Sequence, residues 1–170
     1  LAAKAGVRTI EHCSWVGPDG WGSDFQFDIA QIIAAKGAWV SPTINRGWQR
    51  MLDNKNQTLV NRLRGIYHSM DEIGIPFIAS TDAGIPGVFH HHLPEALNVF
   101  SKIAGLSAER TLRTATSAAA SALGLDNITG QLKPGLDADI LLVDGDPLEN
   151  LNALTRPIGV WTRGVAAKLP

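Results

Sequence analysis

The stretch that decides the fold reads Ile75-Pro76-Phe77-Ile78-Ala79-Ser80-Thr81-Asp82-Ala83-Gly84. A short apolar run ends here on a carboxylate, and Gly84, Pro86 and Gly87 follow at once. This pattern is typical of a buried strand that leads into a loop. In α/β barrels the active site is built where strands end and loops begin. Asp82 is therefore a candidate functional carboxylate.

A second strand-like run, residues 7–11, ends in the same way on His12. A histidine and an aspartate at the tips of two strands can share a metal ion or a proton. If both strands are parallel and belong to one sheet, their tips lie at the same edge. We therefore expect His12 and Asp82 to converge on one site.

The rest of the chain alternates short apolar runs with helical periodicity. Strands are predicted at 7–11, 38–43 and 76–81, and helices at 27–37, 59–74, 93–104 and 107–124. This alternation predicts a parallel sheet with right-handed crossovers. After Gly124 two short strands, at 138–144 and 158–163, have no crossover helices and indicate a separate small β unit. The predicted organisation is an α/β part over 1–124 and a β part over 125–170.

Composition excludes several functional classes. The chain has 170 residues, 45% of them hydrophobic, which suffices for an ordinary core. A formal net charge of −1 without a basic stripe argues against a nucleic-acid partner. No apolar run approaches the roughly 20 residues that cross a bilayer, so no membrane partner is expected. The single cysteine, Cys13, excludes an internal disulfide and a multi-cysteine zinc site and favours a cytoplasmic location.

Other polar side chains follow the predicted strand ends. Consecutive residues in a loop point in different directions, so the three histidines at 90–92 rarely bind one ion, and we interpret His91 and His92 as lining a substrate pocket. Asn45 and Arg46 follow the second strand and either shape the same cavity or pack the loop. Arg46 could pair with a substrate carboxylate, although a solvated surface arginine is the more common outcome.

Several segments together resemble the C-terminal half of amidohydrolase-superfamily enzymes, closest to imidazolonepropionase-like and Xaa-Pro dipeptidase-like metal-dependent hydrolases. The matching residues are 5–12, 80–84, 115–120, 123–125, 130–140 and 144–148. Their order and spacing carry the resemblance, which covers nearly the whole chain.

The resemblance implies the C-terminal part of a (β/α)8 TIM barrel, about three βα units, over residues 1–124. It implies strands of a small composite β-sandwich over 125–170. In this family one or two divalent metals, usually zinc, are bound in the barrel. His12 matches the metal-binding histidine that ends the sixth strand, and Asp82 matches the aspartate that ends the eighth. The ligands of strands one, four and five have no counterpart here, so the chain is expected to be a fragment that is inactive alone.

The implied reaction is hydrolysis of an amide, cyclic amide or peptide-like carbon–nitrogen bond in a small molecule. A divalent metal lowers the pKa of bound water to about 7, and Asp82 would move a proton from that water to the leaving nitrogen. Structural roles stay open: His12 as a hydrogen-bonded strand-end histidine and Asp82 as a turn carboxylate. Two other functions also stay open: a non-catalytic scaffold or interaction protein that has lost the metal, and a metal-free enzyme with Asp82 as general base.

The fragment interpretation also predicts a partner. A closed barrel has no edges, whereas strand 7–11 would keep one side unpaired. We therefore expect self-association or pairing with the missing N-terminal half.

Overall fold

The computed structural model describes residues 1–54 and 57–169, which form an α/β structure. Its helices and strands are β1 (Thr9–Glu11), α1 (Phe27–Ala35), β2 (Trp39–Ser41), α2 (Gln49–Asp53), α3 (Gln57–Glu72), α4 (Leu93–Ala104), α5 (Ala108–Ala115), α6 (Ser117–Leu123), β3 (Ile140–Val143), β4 (Pro157–Thr162) and β5 (Val165–Ala166). Short 3-10 helices occur at Ala3–Ala5, Arg46–Trp48, His90–His92 and Leu151–Thr155. No helix in the described ranges is long and apolar enough to cross a membrane.

The first sheet is parallel, as the alternation of strands and helices predicts. β1 pairs with β2, with Ile10 opposite Val40. The segment after α3 joins the other side of β2 through a parallel bridge between Val40 and Phe77. The Val40 amide donates to the Pro76 carbonyl at 2.9 Å, and the Ile78 amide donates to the Val40 carbonyl at 3.0 Å. All three segments therefore end at one edge of the sheet.

The core lies between this sheet and helices α1, α3 and α4. Buried positions of α3 recur every three or four residues, as a helix with one apolar face requires. The ring of Tyr67 on α3 meets Phe77 and Phe100 edge-on, with centroids 5.8 and 6.1 Å apart. The α-helical layer thus packs directly on the segment that leads to Asp82.

The prediction of one helix over 107–124 is wrong. The chain forms two helices, α5 and α6, which are separated at Thr116 with φ −127° and ψ −99°. The Thr116 hydroxyl donates to the Leu112 carbonyl at 2.8 Å, and the Thr114 hydroxyl donates to the Thr111 carbonyl at 2.6 Å. Threonine side chains that bond to the preceding turn compete with the helix backbone. The alanine-rich composition hides this interruption because alanine favours helix throughout.

Four of the five predicted strands are shorter in the structure than the sequence predicts. The predicted strand 76–81 makes a single bridge at Phe77 instead of a continuous ladder, in part because Pro76 has no N–H to donate. The predicted last strand ends at Thr162, and Arg163 and Gly164, with φ 51° and 78°, turn the chain back into β5. Two residues of positive φ form the tight turn that suits a hairpin.

The second sheet is antiparallel, in the order β3-β4-β5. It carries Ile140 opposite Trp161 on its first two strands. The 3-10 helix Leu151–Thr155 packs against α4, and the Asn98 amide donates to the Asn152 side-chain oxygen at 2.8 Å. The β part is therefore attached to the α/β part through α4.

An ion pair between α3 and α5 gives the fold a pH-dependent element. Arg110 donates to Asp71 at 2.7 Å and, mainly through this hydrogen bond, holds the pKa of that carboxyl below its ordinary value. The ordinary value is about 3.9, so the pair stabilises the fold fully above about pH 4, and this contribution is lost as pH falls through the lowered pKa.

We expect Arg110→Met to lower the free energy of unfolding by about 0.5–1 kcal/mol at pH 7, a modest cost because both groups are partly solvated. The cost should shrink as pH falls below about 4 and through the lowered pKa of Asp71, because the carboxyl then becomes protonated in both the unfolded and the folded state. Urea unfolding at about pH 7 and at a series of pH values below about 4 measures it. The control is Arg113→Met, because the pair of Arg113 with Glu109 is more exposed. A cost for Arg110→Met that does not change with pH would contradict this account.

Candidate functional site

At the carboxyl edge of the parallel sheet, each of the three segments is followed by a residue with a positive φ angle. His12, Thr43 and Asp82 each follow one segment, with φ of 64°, 55° and 56°. For residues other than glycine this left-handed conformation is uncommon and costs about 1 kcal/mol or more each. Strain of this kind concentrates at functional sites. All three polar side chains therefore leave the sheet at sharp turns on one edge.

His12 is attached to β2 through its backbone and its ring. Its amide donates to the Ser41 carbonyl at 2.8 Å, and its Nδ1 lies 2.8 Å from Thr43 Oγ1. The Thr43 hydroxyl donates to the Pro42 carbonyl at 2.7 Å. Although His12 is solvent-exposed, its imidazole is therefore held in one orientation. The second nitrogen, Nε2, has no protein partner within the described ranges.

Asp82 lies at the same edge on the third segment. Its carboxylate is exposed and makes no hydrogen bond or ion pair with any described residue. The segment before it is fixed to β2 by a hydrogen bond of 2.6 Å between the hydroxyls of Ser41 and Ser80. Ser41 is fully buried. The main chain is thus anchored two residues before a carboxylate that stays available to a ligand.

The three histidines at 90–92 form a 3-10 helix that leads into α4, where the sequence predicts a loop. The ring of His91 is exposed and stacks on Phe89, with centroids 5.6 Å apart. His92 is buried, and its Nδ1 accepts the Phe89 amide at 3.3 Å. Burial, followed by the positive charges of Arg46 and His91, keeps the pKa of His92 below its ordinary value. His92 is therefore a neutral imidazole close to a guanidinium.

The loop after β2 carries the other two predicted substrate residues. Asn45 Oδ1 accepts the Gly47 amide at 2.9 Å and caps the 3-10 helix Arg46–Trp48, so half of its amide group is used by the backbone. Arg46 is exposed, and its guanidinium makes no hydrogen bond or ion pair with the described residues. This helix packs against α4. Asn45 and Arg46 thus lie close to α4, the helix into which the segment His90–His92 leads.

An indole pair connects the loops that follow β1 and β2. Trp21 and Trp48 stack with centroids 4.4 Å apart and planes within 9°. Trp21 is 40% exposed, so the pair presents an aromatic face to solvent. Arg62 on α3 donates a hydrogen bond from Nη1 to the carbonyl of Trp21 at 3.4 Å. The two loops at the site edge are therefore held as one unit.

An apolar cavity of about 220 Å³ lies beside β1. It is lined by Leu1, Ala2, Ala3, Lys4, Ile10, Cys13, Trp15, Ile29, Ile32 and Ile33. Burial raises the pKa of Cys13 to about 11, so this thiol stays protonated and is a poor nucleophile. The Trp15 Nε1 is buried without a hydrogen-bond partner in the described structure.

The donor set at the edge fits a divalent metal in kind but not in number. Imidazole and carboxylate are both ligands of zinc, and a catalytic zinc has three protein ligands. Within residues 1–54 and 57–169 no three histidine, cysteine, aspartate or glutamate side chains form a group that could hold a metal. His12 and Asp82 would therefore need at least one further ligand from elsewhere.

Comparison with known proteins decides the family. The model of the amidohydrolase family matches residues 2–167. This chain belongs to the amidohydrolase family. It is 23% identical over 184 aligned positions to ochratoxinase of Aspergillus niger, an alignment that covers 99% of this chain and 35% of that protein. It is 29% identical over 157 positions to amidohydrolase tasK of Hapsidospora irregularis, covering 85% of this chain and 15% of that one.

Solved structures agree on the fold. A putative prolidase from Bifidobacterium longum superposes with a TM-score of 0.76 at 26% identity, covering 99% of this chain and 44% of that one. A Xaa-Pro dipeptidase with methionine bound in its active site gives 0.74 at 22% identity, covering 98% and 41%. The amidohydrolase resemblance predicted from the motifs is confirmed. The chain spans less than half the length of each of these relatives.

Sequence reasoning did not single out the hydroxyl residues Ser41, Thr43 and Ser80. Their partners lie 31 to 39 residues away along the chain. The one available signal is position, because Ser41 and Ser80 each directly follow an apolar run, after Val40 and Ala79. Small hydroxyl residues are too common in such places for that signal to be noticed.

The Ser41–Ser80 hydrogen bond should be measurable as a coupling. We expect each single change to alanine to lower the free energy of unfolding by about 1–2 kcal/mol, because the remaining hydroxyl loses its partner. The double variant should cost about 1 kcal/mol less than the sum. Urea denaturation of the four proteins gives the coupling. Ser41→Ala combined with Ser121→Ala is the additive control, and additivity in the Ser41–Ser80 cycle would contradict the shared bond.

Proposed function

We propose that this chain is the C-terminal part of a (β/α)8 barrel over residues 1–124, with strands of a small β-sandwich over 125–170. We propose that it belongs to a metal-dependent hydrolase of carbon–nitrogen bonds in a small molecule. The observation that carries the proposal is the common sheet edge at which His12 and Asp82 follow parallel segments. Membership of the amidohydrolase family supports the hydrolytic reaction class.

In this proposal the imidazole of His12 and the carboxylate of Asp82 would hold a divalent cation, most simply zinc, as one or two ions, together with further ligands from elsewhere. When bound, such an ion polarises the scissile carbonyl and makes water a nucleophile near neutral pH. Asp82 accepts the proton of the attacking water on a carboxylate oxygen and delivers it to the leaving nitrogen. Because Asp82 makes no ion pair with the described residues, its oxygens are available for this transfer.

The substrate proposed for this site carries a carboxylate close to the bond that is cut. Arg46 offers a guanidinium that no described carboxylate occupies, and guanidinium and carboxylate form strong charge-assisted pairs. His92 accepts the Phe89 amide on Nδ1, so its single proton is on Nε2, where it donates to a substrate oxygen. His91 and the amide nitrogen of Asn45 complete the lining. The Xaa-Pro dipeptidase of similar fold has methionine, a small molecule with a carboxylate, bound in its active site.

The alternative is a non-catalytic scaffold or interaction protein. The observation that favours it is the lack of a three-ligand group within the described residues. The hydrolase needs the carboxylate of Asp82 for proton transfer, whereas the scaffold does not. A substitution that keeps the shape of Asp82 and removes its charge therefore distinguishes the two functions.

We also propose that the unpaired side of β1 is an interface for another polypeptide strand. β1 pairs only with β2 in the described structure, and the apolar cavity opens beside it. A strand from another copy or from the rest of the barrel would pair with this side and cover the cavity. We place this assembly in the cytoplasm, because a chain with a single cysteine has no internal disulfide that would need an oxidising compartment.

We expect Asp82→Asn to lower kcat by about 10²–10⁴-fold, because the amide cannot accept the water proton while its shape is nearly unchanged. Rates on dipeptides and N-acyl amino acids, with zinc present, should be measured in the longest natural protein that carries this sequence. The melting temperature should stay the same, which shows that the fold is kept. The matched control is Asp126→Asn, an exposed aspartate in a distant turn. Near-full activity of Asp82→Asn would contradict the hydrolase proposal.

Removing the guanidinium of Arg46 should separate binding from chemistry. We expect Arg46→Met to raise KM about 10–100-fold for a substrate with a free carboxylate, since a hydrogen bond to a charged group is worth about 1.5–3 kcal/mol. For the same substrate as its carboxamide, KM should change little. Arg50→Met, one turn further along the chain and also exposed, is the control. Equal effects on the two substrates would argue against carboxylate recognition.

A further inference from the structure

We propose that Thr43 is a positioning residue that fixes the tautomer of His12. Its hydroxyl holds the imidazole with the proton on Nδ1, so that Nε2 presents its lone pair at the sheet edge. The purpose of this arrangement rests on the proposed hydrolase function, whereas its geometry and its test do not.

The first step is the use of the only hydroxyl hydrogen of Thr43. Oγ1 lies 2.7 Å from the Pro42 carbonyl oxygen, which can only accept. Two oxygens this close repel each other unless a hydrogen lies between them. Among the described residues, no backbone amide outside the helices and strands donates to that carbonyl. The hydroxyl hydrogen is therefore directed to Pro42.

The second step follows for the imidazole. His12 Nδ1 lies 2.8 Å from the same Oγ1. Because the hydroxyl hydrogen is already used, this contact is a hydrogen bond only when Nδ1 carries a proton and Oγ1 accepts it. A neutral imidazole has one N–H, so Nε2 is then left with a lone pair. This is the nitrogen that can bind a metal ion or accept a proton.

The third step is the conformation of Thr43 itself. A β-branched residue with φ 55° is an outlier, since glycine adopts this region without strain. Such an outlier points to a local requirement for the side chain. The His12 amide is bound to the Ser41 carbonyl at 2.8 Å, so both anchors of this exposed histidine come from the end of β2. Ser41 holds the main chain and Thr43 holds the ring.

The test reads the tautomer directly. The metal-free protein is labelled with ¹⁵N at histidine, and the two ring nitrogens are observed by two-bond ¹H–¹⁵N correlation at a pH where the imidazole is neutral. A His12→Gln variant identifies the His12 signals among those of the other histidines. We compare the unchanged protein with Thr43→Ser, which keeps the hydroxyl, and Thr43→Val, which keeps the branched shape and removes it.

The expected result is Nδ1–H in the unchanged protein and in Thr43→Ser, and a predominant Nε2–H in Thr43→Val. A role of Thr43 in packing alone would leave the tautomer of Thr43→Val unchanged, and that outcome overturns the proposal. So does Nε2–H in the unchanged protein, which decides the matter even if Thr43→Val does not fold. Failure of the hydrolase proposal would appear instead as full activity of Asp82→Asn with the tautomer as expected.

Discussion

The position of every residue at the candidate site depends on the parallel pairing of Val40 with its two neighbours. Val40 is fully buried and lies opposite Ile10 on one side and Phe77 on the other. This register decides where each segment leaves the sheet. A slip of one residue would turn every side chain of a segment to the other face, and the polar residues after the segment would no longer meet at one edge.

Hydroxyl groups then connect the strand ends at close range. Ser41 bonds to Ser80 by its side chain and to His12 by its carbonyl, so one residue of β2 reaches both neighbouring segments. Thr43 adds the contact to the histidine ring. Two main-chain hydrogen bonds join the third segment to β2. The partly buried hydroxyl pair extends this short attachment toward Asp82. The geometry of the edge is therefore set by small polar groups more than by long ladders.

Much of the fold could be predicted from the sequence, because its signals are local. The apolar spacing of α4 predicts the bounds 93–104, and the structure has Leu93–Ala104. The break at Thr116 and the hairpin at Arg163 were missed, since each depends on side-chain bonds or backbone angles that composition does not reveal. His12 and Asp82 could be found as reactive residue types directly after apolar runs. Ser41, Thr43 and Ser80 could not, since their roles come from contacts between distant parts of the chain.

At His12, Thr43 and Asp82 the left-handed backbone lowers the stability of the fold, while the side chains supply the polar groups of the candidate site. Glycine would relieve the backbone at each of them and remove the only group there that can bind, bond or transfer a proton. Selection for thermal stability alone would consequently move these positions toward glycine and erase the edge, as happens when a strained active site is traded for a more stable protein. A laboratory evolution of this chain should therefore keep these codons fixed while the rest is free to vary.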